Sequence, residues 1–232
     1  MSNVFICPDW FFGYDIALEL IFAVVTLMVS FYAWKIFKVT EERNIRLFSL
    51  AFLFISLSYI AQSALNIIIL TQLEEEFCGL INLQSIYLLN LFGLYIHAIL
   101  FLIGLLLLTY IALKIYSLQT FVLLFILVFA SLYFSPQKAF MLYILSTTLL
   151  GFISYYYIAN YWSNKKATTL LVAVAMLILF VGYLHFVFAI DNEIYFVMGH
   201  VFELIAYVLV LANLTVILKA GNKRRIKNGK KT

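Results

Sequence analysis

Residues 94–114, "LYIHAILFLIGLLLLTYIALK", form an apolar run long enough to cross a lipid bilayer as one helix. A helix rises about 1.5 Å per residue, so about 20 apolar residues span the roughly 30 Å hydrocarbon core. Residues 198–219, "MGHVFELIAYVLVLANLTVILK", form a second run of this kind. Of the 232 residues, 66% are hydrophobic and only 11% are charged, which is too few polar side chains to cover a soluble domain. The sequence therefore predicts an all-α integral membrane protein.

Seven apolar runs, separated by short polar segments, predict a bundle of seven transmembrane helices. Residues 1–218 are expected to form this single transmembrane domain, and residues 219–232 a basic cytoplasmic tail. The predicted helices cover about residues 12–37, 46–70, 84–113, 118–134, 138–161, 168–189 and 194–218.

The distribution of charge predicts how the bundle is oriented. All of the 15 lysines and arginines except Lys138 fall on one side of the predicted bundle, whereas Asp9, Glu74–Glu76, Asp191 and Glu193 fall on the other. Basic loops stay in the cytoplasm. We therefore predict a multi-pass protein of the cell membrane with its N-terminus outside and its C-terminus inside.

The first three and the last three predicted helices resemble each other in the same direction. His97 and His200 lie 17 and 19 residues before the lysines that end helices 3 and 7, and Tyr59 corresponds to Tyr183 in helices 2 and 6. Helix 4 is then an unpaired linker. The sequence predicts a parallel internal repeat in a three-plus-one-plus-three arrangement.

Five ionisable residues within the predicted helices lie at one depth. Counting about 1.5 Å per residue from the basic ends places Glu19, His97, His185, His200 and Glu203 about 24–28 Å from the inner edge, in the outer third of the bilayer. Such residues usually face the interior of a bundle and mark functional sites. We predict a ligand-binding site in the outer half of the bundle, formed by His97, His185, His200, Glu19, Glu203, Tyr59 and Tyr183.

Three chemical interpretations of this layer remain open. It could be a structural hydrogen-bond network, a pocket for a small ligand or protons, or a metal site. For a metal, the candidate ligands are His97, His200, Glu203 and His185, because imidazole and carboxylate suit zinc, iron or manganese. Two of the histidines could also be axial ligands of a haem.

The two cysteines and the basic tail indicate further features. Cys7 and Cys78 both fall on the outer side, where disulfides form, so one bridge between them is predicted. The seven basic residues from Lys219 onward are expected to attract anionic lipids or a protein partner at the cytoplasmic face. Nucleic-acid binding is not expected.

Two segments are similar to prokaryotic seven-helix membrane sensory domains. They are residues 41–60, "EERNIRLFSLAFLFISLSYI", and residues 199–214, "GHVFELIAYVLVLANL". The resemblance implies reception of an outer ligand and signalling through a partner, since members of this type often carry an output domain that the basic tail here replaces. There are two alternatives. One is an intramembrane metal-dependent enzyme of hydrolase type, whose catalytic residues are unknown, and the other is a small-solute transporter. We lean towards a protein that is not an enzyme.

Overall fold

The computed structural model describes residues 11–76, 83–114, 117–189 and 192–229, which form seven helices. Six of them are long and apolar enough to cross a membrane. The prediction of an all-helical membrane bundle is confirmed at this level. The helices are α1 (Phe12–Thr40), α2 (Arg43–Glu76), α3 (Leu83–Ala112), α4 (Leu118–Phe134), α5 (Lys138–Asn164), α6 (Ala167–Phe188) and α7 (Ile194–Gly229).

Several helices are longer than predicted, because the apolar runs mark the stretch within a bilayer and the helical backbone continues past it. The α2 helix begins at Arg43 instead of residue 46, and α7 continues to Gly229 instead of ending at 218. Thus the predicted tail begins as a continuation of α7. The α1 and α5 helices also extend three residues further, and each is followed by a residue in the left-handed conformation, Glu41 or Lys165.

The helices alternate in direction along the chain. Phe11 and Phe196, just before α1 and near the start of α7, are 6.2 Å apart at their ring centroids, so both helices begin at one end of the bundle. We call this the site end and the opposite one the basic end. The ring of Tyr143, near the start of α5, lies 5.2 Å from that of Phe186, which lies 5.5 Å from that of Phe196, so α5 also begins at the site end. Lys138 at the start of α5 lies 5.9 Å from the ring centroid of Tyr95 near the start of α3, so α3 begins there too.

Within the described residues, six helices form a closed ring in the order α1, α2, α3, α5, α6, α7. The α4 helix lies outside this ring and packs against α3 and α5. Its 17 residues measure about 25 Å, slightly less than a typical hydrocarbon core. Exchanging α1–α3 for α5–α7 leaves this packing order unchanged, as the predicted repeat requires. The internal repeat stays a prediction, and so does the crossing of the membrane by all seven helices.

Small and hydroxylated side chains bring neighbouring helices close together, as is usual in membrane bundles. Ser30 of α1 and Ser49 of α2 each donate a hydrogen bond to the backbone carbonyl of the other, at 2.8 Å. Gly104 of α3 lies directly against α2: a Cβ atom there would be 2.6 Å from Cγ1 of Ile55 and 2.8 Å from the backbone oxygen of Ala51. These contacts hold α2 between α1 and α3.

The contact at Gly104 leads to a prediction. Gly104→Ala is expected to lower the free energy of unfolding by about 1–3 kcal/mol, because the added methyl group meets a backbone atom that cannot rotate away. Thermal unfolding in detergent micelles measures the change. Gly13→Ala is the control, since nothing lies within 4 Å of its Cβ position. Equal unfolding temperatures for the two variants would contradict the close approach of α2 and α3.

Candidate functional site

Glu203 of α7 lies at the centre of the bundle and is 1% exposed. Its Oε1 accepts hydrogen bonds from three tyrosine hydroxyls: a short one from Tyr59 of α2, and two from Tyr183 of α6 and Tyr207 of α7, at 3.1 and 3.2 Å. Tyr207 reaches Glu203 because residues four apart share a helix face. A buried carboxylate is costly unless several donors satisfy it. The three hydroxyls meet this requirement, and they join α2, α6 and α7 at one atom.

His200 connects Glu203 with a second carboxyl group on α1. Its Nδ1 lies 3.4 Å from Oε2 of Glu203, one helical turn away, and its Nε2 lies 3.0 Å from Oδ1 of Asp15. Both ring nitrogens therefore lie within 3.4 Å of a carboxyl oxygen. Asp15, His200 and Glu203 form a continuous polar chain from the first turn of α1 to the three tyrosines.

Aromatic rings enclose the imidazole of His200. The ring centroids of Phe11, Phe22, Phe186 and Phe196 lie between 4.7 and 6.0 Å from that of His200. Phe22, which is fully buried, also contacts the rings of Tyr59 and Tyr207. The polar chain is therefore surrounded by packed apolar side chains.

A third buried carboxyl group, that of Glu19, lies on α1 one turn after Asp15. Nδ2 of Asn66 on α2 donates to both of its oxygens, at 3.1 and 3.0 Å. Asn66 in turn accepts a hydrogen bond from Gln62 at 3.4 Å. Asp15, Glu19, His200 and Glu203 are all buried, and we call these four residues the carboxyl–imidazole cluster.

The carboxyl–imidazole cluster has an excess of acidic groups. Among the described residues, His200 is the one base that lies within 4 Å of these carboxyl groups, and it lies beside two of the three, those of Asp15 and Glu203. If all four groups were ionised, the cluster would carry a net charge of about −2 inside the bundle, at a cost of several kcal/mol per unpaired ion. The cluster is therefore suited to hold positive charge in addition to that of His200.

The structure brings four of the seven predicted site residues into direct contact: His200, Glu203, Tyr59 and Tyr183. A fifth, Glu19, is buried on α1 one helical turn after Asp15, the partner of His200. His97 lies at the edge of this group of residues. Its Nδ1 is 3.3 Å from the backbone oxygen of Ser58, and its ring is 5.7 Å from that of Tyr59. Neither of these contacts joins His97 to His200, its counterpart in the predicted repeat.

His185 lies apart from the cluster. Its Nδ1 is 2.7 Å from the backbone oxygen of Val181, and its ring packs against Tyr195 and Phe202. It is on the opposite side of α6 from Tyr183, because two residues along a helix correspond to a rotation of about 200°. Residues counted to the same depth along the bundle therefore need not point their side chains into the same site.

The predicted metal set of His97, His185, His200 and Glu203 is not assembled. In the part of the chain that the structure describes, no group of three or more His, Cys, Asp or Glu residues is arranged to hold a metal ion. Both nitrogens of His200 face carboxyl groups instead. Cys7 and Cys78, the predicted disulfide partners, lie outside the described residues.

Tyr207, Asn66 and Asp15 belong to the site but were not among the predicted binding residues. Tyr207 could have been found from its spacing of four residues after Glu203, which puts it on the same helix face. Asn66 was indicated only by being polar within an apolar run. Asp15 precedes Glu19 by four residues and so shares its helix face, but its pairing with α7 depends on how the helices pack.

Comparison of the chain with protein-family models, curated proteins and solved structures finds no match.

Proposed function

We propose that this protein is a membrane receptor that binds a small positively charged species in the carboxyl–imidazole cluster and signals through a partner at the basic end. One observation carries the proposal: three buried carboxyl groups share a site with a single imidazole. A bound positive charge would offset the excess acidity. A network with only a structural role would be less costly with matched charges.

The position of the cluster favours access from the site end. Asp15 lies in the first turn of α1 and is the member closest to that end, whereas Glu203 lies deeper. The charge distribution predicts that the site end faces outside. A ligand arriving from the outer compartment would meet Asp15 first and Glu203 last.

The α7 helix provides a route from the site to the partner. It carries His200, Glu203 and Tyr207 and continues as a helix to Gly229, about 15 Å beyond Lys219. A change in the bonds of Glu203 therefore acts on the same rigid element that reaches the basic tail. We propose a protein partner or anionic lipids as the recipient there.

The first test measures binding with defined probes. The protein in lipid nanodiscs is titrated with sodium, zinc or tetramethylammonium chloride, or by lowering the pH, and thermal unfolding is followed. At least one probe is expected to change the unfolding temperature; a metal or organic cation that binds the folded protein alone stabilises it by about 2.7 kcal/mol near 100 times its Kd. Glu203→Gln should abolish this change, and Glu193→Gln, at an exposed residue, should retain it. Equal responses of the two variants to every probe would refute binding in the cluster.

The second test measures transmission to the basic end. Spin labels are placed at Glu41 and Lys219, two exposed residues, in a background in which Cys7 and Cys78 are replaced by serine. The effective probe should change the distance between the labels in the wild-type cluster but not in Glu203→Gln. An unchanged distance on saturation would contradict a receptor role.

A transporter is the second candidate, and the closed six-helix ring favours it. Two three-helix sets joined by an outlying α4 resemble the architecture of parallel-repeat transporters. Flux distinguishes the two functions: sealed proteoliposomes should acidify or accumulate the probe if the protein is a transporter. No described feature favours the metal-dependent enzyme.

A further inference from the structure

We infer that the positive species bound at this site is the proton, taken up through Asp15 and His200 and held by Glu203. This inference rests on the proposed function and specifies its ligand. Three observations carry it: the space around the cluster, the order of its polar atoms, and the bonds that Glu203 makes.

The first observation is how tightly the site is filled. Four phenylalanine rings surround His200, and the side chains of Glu203, Tyr59 and Tyr207 are at most 3% exposed. An organic cation or a metal ion with its ligand shell would have to displace these side chains. A proton requires no additional space.

The second observation is the order of the polar atoms. The imidazole of His200 has one nitrogen 3.0 Å from an oxygen of Asp15 and the other 3.4 Å from an oxygen of Glu203, so a small rotation of the ring brings either pair into hydrogen-bond geometry. A proton that arrives on Asp15 passes to Nε2 of His200 while the proton on Nδ1 passes to Oε2 of Glu203. Asp15 is then ionised again, Glu203 is neutral, and His200 has exchanged one neutral tautomer for the other. One proton has moved inward, and no other reactant is required.

The third observation is what Glu203 holds together. As a carboxylate it accepts hydrogen bonds from Tyr59, Tyr183 and Tyr207, and such charge-assisted bonds are roughly twice as strong as neutral ones. Protonation removes the charge and weakens all three bonds. Because Tyr59 and Tyr183 lie on α2 and α6, the proton loosens the attachment of α7 to both helices.

Other ionisable groups around Glu203 tune this exchange. Asp15 and Glu19 on α1 favour proton uptake by like-charge repulsion, whereas the hydroxyl donors oppose it. The groups that face the cluster from the packed helices are Asp15 and Glu19 of α1, Tyr59 of α2, His97 of α3, Tyr183 of α6, and His200 and Tyr207 of α7.

Infrared difference spectroscopy tests the inference directly. Spectra of the protein in nanodiscs are recorded from about pH 9 to about pH 4, a range that includes the ordinary titrations of imidazole and carboxyl groups. A carbonyl stretch of a buried protonated carboxyl group should appear as the pH falls. This band should be missing in Glu203→Gln and present in Glu193→Gln.

A second variant keeps the test informative if Glu203→Gln does not fold. Tyr183→Phe removes one donor to the carboxylate and leaves the ring in place. Ionised Glu203 loses a hydrogen bond in this variant, and protonated Glu203 loses a weaker one. The proton affinity of Glu203 should therefore rise about tenfold, and the carboxyl band should appear at a higher pH than in the wild type. An unshifted band would overturn the assignment to Glu203.

The outcomes separate the inference from the proposed function. A Glu203-dependent band without movement between the labels at Glu41 and Lys219 would support proton binding and contradict the receptor. A Glu203-dependent response to sodium, zinc or tetramethylammonium, with no carboxyl band, would overturn the proton as ligand and leave the receptor standing.

Discussion

Glu203→Ala is expected to lower the free energy of unfolding by about 3–5 kcal/mol, the usual cost of removing one partner from a buried charged pair. The substitution leaves the hydroxyls of Tyr59, Tyr183 and Tyr207 without their common acceptor, and His200 with one carboxyl partner instead of two. Each buried polar group that loses its partner costs about 1–3 kcal/mol. Since α2, α6 and α7 meet at this carboxylate, the loss affects three helices together.

The measurement is reversible unfolding in mixed micelles, followed by circular dichroism. Glu193→Ala is the matched control because it removes the same atoms from an exposed residue of the α6–α7 connection. Glu203→Gln should lie between the two, since the amide oxygen still accepts hydrogen bonds. If Glu203→Ala and Glu193→Ala were equally stable, the tyrosine bonds would not hold the bundle together.

Phe22→Ala is expected to destabilise the protein by a similar amount, about 3–5 kcal/mol, the usual range for a buried phenylalanine. Phe22 is fully buried, and its ring packs against His200, Tyr59 and Tyr207. Removing the ring leaves a cavity beside the imidazole. Phe31→Ala is the control, because Phe31 lies on the same helix and is 56% exposed.

The same variant tests whether packing excludes larger ligands. With Phe22 replaced by alanine, the cavity next to His200 becomes large enough for a small organic cation, so tetramethylammonium should stabilise Phe22→Ala more than the wild type. Thermal unfolding with and without the probe measures this difference. An identical response of Phe22→Ala and Phe31→Ala would show that the ring of Phe22 does not limit access to the cluster.

Six long helices could be predicted from the sequence because bilayer thickness imposes a minimum length on an apolar run. The run at residues 94–114 is unambiguous for this reason, and so is that at 198–219. The ends of the helices were less predictable. The last part of α7, which ends at Gly229, contains polar and basic residues, so it is not part of an apolar run. It is helical nevertheless, because the backbone hydrogen bonds of a helix form regardless of the hydrophobicity of the side chains.

The location of the site could also be predicted in part. Burying an ionisable residue in hydrocarbon is costly, so Glu203 and His200 were expected to face the interior and to find partners. Counting residues from the basic ends grouped His200 with Glu203, and the structure places their side chains 3.4 Å apart. His185 shows the limit of this argument: it shares the depth of His200, yet its imidazole faces Tyr195 and Phe202.

The sequence by itself determined that the chain is a helical membrane protein, which apolar runs form its long helices, and that a histidine and a glutamate are one helical turn apart in the last of them. Those properties follow from hydrophobicity and helical rise, which are local along the chain. Only the tertiary structure decided that Asp15 of α1 meets His200 of α7, that Tyr207 joins Tyr59 and Tyr183 at Glu203, and that His97 lies at the edge. Such pairings depend on the rotation of each helix about its axis, which is set by packing against neighbouring helices.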